Sequence, residues 1–143
     1  MFRACSTAKL FLDHMLPDTV DAGVYLDTDI LLLDDITHLI NHLTQFSPGQ
    51  VMGLAATENI YNVVDKIPYY GPPGDQKLLP PKYLMFAGVG LNAGVILVNV
   101  TRMRRMSGGG FTGAVRWITS RYRDHLYFAD QDILNAIFGT SPW

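Results

Sequence analysis

The chain has 143 residues, 48% of them apolar and 17% charged, with 11 Lys and Arg against 13 Asp and Glu for a net charge of −2. That balance gives one folded domain with a modest core and excludes a disordered tail. The slight negative charge argues against sequence-independent binding to nucleic acid, the single cysteine, Cys5, excludes an internal disulfide, and no run reaches the roughly 18 apolar residues of a membrane helix.

Ser6 stands where an N-cap would open a short helix over residues 6–16, with Leu10, Phe11, His14 and Met15 at helical spacing and Pro17-Asp18 ending it. Residues 22–26 read as a strand, and the apolar run continues through Val24-Tyr25-Leu26-Asp27-Thr28-Asp29-Ile30-Leu31-Leu32-Leu33. Such a run reads as buried strand, broken here only by two carboxylates. Asp34-Asp35 opens a helix whose apolar stripe is Ile36, Leu39, Ile40 and Leu43. A short buried strand follows over residues 51–56. Residues 59–86 carry Pro68, Pro72, Pro73, Pro80 and Pro81 with Gly71 and Gly74, and read as one long surface loop. A strand is expected over 94–98, a helix over 101–106, a glycine-rich break over 107–110, and helices over 111–122 and 129–138. Strands alternating with helices argue for a layered α/β domain, residues 1–143, with a mostly parallel sheet.

Three blocks carry chemistry. In Asp27-Thr28-Asp29 the carboxylates at i and i+2 of an extended segment point the same way, so they can converge on one hard cation, Mn²⁺ or Mg²⁺; a capped turn is the competing reading. In Leu91-Asn92-Ala93-Gly94 an amide enters an apolar strand, offering a donor and an acceptor to sugar hydroxyls beside a wall kept small by Ala93 and Gly94; a turn-capping Asn is the alternative. In Asp130-Gln131-Asp132 three polar residues open a helix, as a ligand site or as an N-cap with first-turn acids. Arg102, Arg104 and Arg105 read as a solvated face before a phosphate patch. Trp117 and Tyr122 read as core, and His14, His38 and His42 as structural.

These blocks, in this order, resemble the family-8 glycosyltransferases, retaining enzymes of the GT-A fold, with the glucoside xylosyltransferases as the subgroup most like this chain. The resemblance rests on Leu10-Phe11-Leu12, Tyr25-Leu26-Asp27-Thr28-Asp29-Ile30-Leu31, Pro68-Tyr69-Tyr70-Gly71, the strand 92–99 running into Thr101-Arg102-Met103-Arg104-Arg105, and Asp130-Gln131-Asp132, and it covers residues 3–138. It implies a metal-dependent transfer of xylose from UDP-xylose to a protein-linked glucose, or of glucose or galactose in a sister activity. Asp27 and Asp29 would hold the metal, Mn²⁺ or Mg²⁺, with Asp27 also facing the nucleotide-sugar. Lys9, Asn92, Ala93, Asp130 and Asp132 would bind the donor, and Asp130 and Gln131 would stand at the reaction centre, Gln131 under the anomeric carbon. The partners implied are a UDP-sugar and a glycosylated protein acceptor, with no nucleic acid and a membrane reached only through an N-terminal anchor outside this chain. The compartment implied is the secretory pathway, Golgi or ER lumen. By the same resemblance the chain is expected to be a fragment, an inactive one in the competing reading. It begins after the family's uridine-binding strand–helix unit, it ends before a late histidine metal ligand, and Lys9 stands where the family carries an Arg.

Overall fold

The computed structural model describes residues 7–56, 90–123, 126 and 129–139. The expected Ser6 cap, the 59–86 loop and the Pro68-Tyr69-Tyr70-Gly71 block lie outside them. Strands β1 (Ala22–Leu26), β2 (Met52–Ala56) and β3 (Leu91–Asn99) form one sheet in the order β1-β3-β2. Val95, Ile96 and Val98 suit β3 to this central place, because β-branched side chains pack well on a pleated surface. Helices α1 (Leu12–Met15), α2 (Ile36–Asn41), α3 (Val100–Arg105), α4 (Gly110–Tyr122) and α5 (Asp130–Gly139) complete the described elements, with 3₁₀ turns at Ala8–Phe11 and His42–Gln45.

The α/β layering is as expected, but the strand directions correct the expectation of a mostly parallel sheet for this part of the molecule. β3 runs antiparallel to both neighbours, pairing Val24 with Leu97 on one side and Leu54 with Ile96 on the other. β1, α2 and β2 do form a unit whose strands run the same way, which is what the alternation predicts. β3 is inserted between them in the opposite sense, and apolar patterning carries no record of strand direction. The β2–β3 register shifts between Leu54 and Ala55, so that Ala55 faces Asn92 and residues 93–95 have no partner in β2. That bulge leaves the backbone of Ala93 and Gly94 available to a neighbouring cleft.

The core lies between the sheet and α3, α4 and α5, around Ile96, Val98, Met103, Phe111, Ile118, Leu134 and Ile137. Ile133, Leu134 and Ile137 face it together, as their spacing predicts. β1 is only half-buried, since among the described strands it pairs with β3 alone. The apolar run after it is no buried strand: Leu31 is 80% and Leu33 90% exposed. No residue of α2 is fully buried and Ile40 is exposed. Trp117 is at the surface rather than in the core, with Arg121 over its ring.

Two of the three clustered arginines are staples rather than a solvated face. Arg104 donates to the carbonyls of Asp13, Leu16, Pro17 and Val20 and closes the end of α1. Arg102 donates to those of Ser47 and Gln50. Arg105 is exposed.

Candidate active site

β1 ends at Leu26, and the chain then turns. Asp27 N–H donates to the Gly94 carbonyl at 2.8 Å, and Ile30 N–H returns to the Asp27 carbonyl at 3.2 Å. This turn, not an extended segment, brings Asp27 and Asp29 to one rim. Asn92 Oδ1 accepts from Gly94 N–H at 2.8 Å, folding the amide over the bulge. α5 delivers its first residues from the other side. Ala129, just before it, has φ 52°, a left-handed backbone that is strained for a residue with a Cβ.

A cleft of about 330 Å³ results, lined by Lys9, Asp27, Asp29, Ile30, Asn92, Ala93, Gly94, Asp130 and Gln131. The structure thus brings together every expected site residue except Asp132. Asp132 is 2% exposed and does not line the cleft. Two residues along a helix is roughly 200° of rotation, so the third residue of the block turns away from the cleft that the first faces. Ile30 is a wall that sequence reasoning missed, because within an apolar run it reads as strand interior.

Lys9 joins the walls. Its Nζ, on a side chain 2% exposed, lies 2.9 Å from Asp27 Oδ1, 2.9 Å from Asp130 Oδ2 and 2.8 Å from the Ala93 carbonyl oxygen. The three ammonium protons are therefore all engaged. The Tyr25 ring lies under the same ammonium, 4.8 Å away. Burial pulls the Lys9 pKa down, but hydrogen bonds to Asp27 and Asp130, and then their charges, outweigh it, and the pKa ends above the ordinary 10.5. The Tyr25 phenol is pushed above its usual 10.0, first by burial and then by a hydrogen bond with Asp27, against the pull of Lys9.

Two observations bear on ligands. Among the described residues the buried Gln131 Nε2 has no hydrogen-bond partner, a costly state for an amide unless a ligand atom meets it. Asp27 and Asp29 are hard oxygen donors on one rim, the chemistry that Mn²⁺ and Mg²⁺ take. They fit as two ligands of such an ion. Among the described residues no group of three or more His, Cys, Asp or Glu could hold one. His38 on α2, one of the histidines read as structural, pairs with Asp34 just before that helix and does not line the cleft.

Residues 6–141 match the family model of glycosyl transferase family 8. Glucoside xylosyltransferase 1 of Mus musculus is 30% identical over 155 aligned positions, covering 99% of this chain and 34% of that protein. The chain spans about a third of the length of the curated glucoside xylosyltransferases it matches. A crystal structure of the galactosyltransferase LgtC in complex with donor and acceptor sugar analogues is similar at a TM-score of 0.65 and 27% identity, over 96% of this chain and 42% of that one. Apo mouse xyloside xylosyltransferase 1 is similar in fold, with a TM-score of 0.67 at 22% identity, over 96% of this chain and 49% of that one. The α/β fold is accordingly the GT-A type. With the match running through every segment that builds the cleft, the chain belongs to glycosyl transferase family 8.

Proposed function

We propose that this chain forms the donor side of a metal-dependent retaining glycosyltransferase that moves xylose from UDP-xylose to a glucose already linked to a protein. The observation that carries this reading is the convergence of Lys9, Asp27, Asp29, Asn92, Ala93, Asp130 and Gln131 on one cleft, in a chain similar to glucoside xylosyltransferases. Asp27 and Asp29 would hold Mn²⁺, or Mg²⁺, beside the donor diphosphate, where such an ion would supply positive charge to offset that of the leaving group. Lys9 fixes one oxygen each of Asp27 and Asp130. Alongside these ties, and the hydrogen bond of Tyr25 with Asp27, an Asp27 oxygen would meet the cation and an Asp130 oxygen a sugar hydroxyl. Asn92 commits its oxygen to Gly94 and keeps its NH₂ to donate. Gln131 Nε2 takes an oxygen of the donor, and its amide oxygen stabilises positive charge at the anomeric carbon. The acceptor hydroxyl attacks that carbon from the face the diphosphate leaves. The C–O bond to phosphate breaks as the glycosidic bond forms, and the proton passes to the departing diphosphate.

The family resemblance supports a working place in the lumen of the secretory pathway. No helix among the described residues is long and apolar enough to cross a membrane. The test incubates the protein with an O-glucosylated peptide, Mn²⁺ and, separately, UDP-xylose, UDP-glucose and UDP-galactose. Xylose should be added, and the addition should stop with a chelator and in Asp27→Ala and Asp29→Ala. Transfer of glucose or galactose instead would move the donor assignment to another family activity, and undiminished transfer under chelation would overturn the metal.

A further inference from the structure

We propose that Asn135 is a positioning residue for this reaction: its side-chain amide locks the start of α5 to the start of β3 and so fixes where Gln131 stands. The inference rests on the donor-cleft reading above. Asn135 is 1% exposed within a helix whose neighbouring residues, Leu134 and Ala136, are also buried. Asn is a poor residue for a helix interior, and a buried amide costs stability unless its hydrogen bonds are made. Here they are made to both walls of the cleft. Asn135 Oδ1 accepts from Leu91 N–H at 2.7 Å, and Nδ2 donates to the Leu91 carbonyl at 3.1 Å and to the Gln131 carbonyl at 2.8 Å.

The pairing with Leu91 is the two-way exchange that a neighbouring strand would offer. β1 covers β3 only as far as Val95, and at Leu91 the amide acts as a strand-like partner. Leu91 runs directly into Asn92 and Ala93, and Gln131 is one helical turn from Asn135. One side chain therefore ties the backbone of the wall that holds the sugar to the backbone of the residue placed at the reaction centre. Lys9 performs the matching tie at Asp130, and Asn135 holds the backbone of Gln131 beside it.

The test is a double-mutant cycle in the full protein. Asn135→Asp keeps the shape and the acceptor oxygen and removes both N–H donors; Asn135→Ala removes the amide without burying a charge, in case the first variant fails to fold. A misplaced reaction-centre group should lower kcat about 10- to 100-fold and leave the donor KM within about 2-fold. In a Gln131→Ala background the same change should alter kcat by less than about 3-fold, because the residue it positions is already gone. Losses that multiply, or a donor KM that rises in step with the fall in kcat, would show a mere core staple and overturn the proposal. Hydrogen exchange is read on the same variants. The Leu91 amide and the first turn of α5 should lose protection while α4 keeps it, and unchanged Leu91 exchange would overturn the lock without any transfer assay. A parent enzyme that turns over none of the UDP-sugars would overturn the donor reading, and the positioning role with it, while exchange still reported the lock.

Discussion

A buried ammonium is tolerated where acceptors meet its protons, and Lys9 meets that condition through Asp27, Asp130 and the Ala93 carbonyl. Lys9→Met keeps most of the stem but leaves two carboxylates together with no cation. It should cost roughly 3 kcal/mol, the low side for a broken buried pair because Asp27 keeps contact with water. A denaturant midpoint unmoved by the substitution would show that the cluster does not hold the fold. Gln131→Ala is expected to do the reverse, leaving stability nearly unchanged and lowering kcat and kcat/KM together; a rise in KM alone would make Gln131 a binding group only. Asp27, Asp29, Asn92, Asp130 and Gln131 were legible in the sequence because a polar side chain within or beside an apolar run is an anomaly that needs a cause. Lys9 was singled out only through the family resemblance, as a donor-binding cation, and nothing in the sequence showed it as already engaged, since its Ala93 partner lies 84 positions away. Asn135 passed unnoticed because two of its side-chain hydrogen bonds go to the backbone of Leu91, 44 positions away, and no spacing within α5 announces them.

At the scale of elements, the clearest case is the start of α4. Gly110 has φ 73°, and a Cβ there would meet Asp13 Oδ2 at 3.1 Å, the same carboxylate that accepts from Thr112 N–H and Oγ1 to close the helix end. Gly113 lies inside α4, where helix propensity alone favours Ala by about 1 kcal/mol. Its missing Cβ is filled by the Gly108 carbonyl, so close that no side chain fits without moving backbone. Packing wins over propensity here: Gly113→Ala should lower stability by about 1–3 kcal/mol, as overpacking does, seen as a fall in Tm. A rise in Tm would mean that the 107–110 turn shifts freely. The sequence marked this stretch as a break between helices, and β1 and α5 fell within a residue of their expected bounds, because glycines and apolar periodicity are local signals. The run Ile30-Leu31-Leu32-Leu33 misled for the converse reason. Its composition is that of a buried strand, but the hydrogen bond from Ile30 to Asp27 closes a turn before the run can extend β1.

For the molecule as a whole, the α/β class and the cleft were readable in advance, whereas the path of β3 between β1 and β2 was not, since strand order and direction depend on pairing partners far apart in sequence. That path is what gathers Lys9, Tyr25, Asp27 and Asp130 into one electrostatic unit, and the unit makes global stability depend on pH. Lys9 binds its proton more tightly folded than unfolded, so its contribution is fully present below the unfolded value near 10.5 and is lost as pH rises through the raised, folded value. Tyr25, also raised, has the same sign: the folded state favours the neutral phenol, and stability falls once the unfolded chain ionises above about 10. Asp35 caps α2 by accepting from Thr37 N–H, and its lowered pKa gives the opposite limb, a contribution present above the ordinary 3.8 and lost as pH falls through the folded value. Thermal melts from pH 7 to 11 should show a plateau from these groups up to about 10 and a decline beyond it. Tyr25→Phe has no phenol to ionise and should make that decline shallower, while Lys9→Met should remove the lysine part of it and start from a lower plateau. Parallel alkaline declines in all three proteins would mean that the pH dependence arises elsewhere and that Lys9 and Tyr25 are not coupled to folding through the cleft.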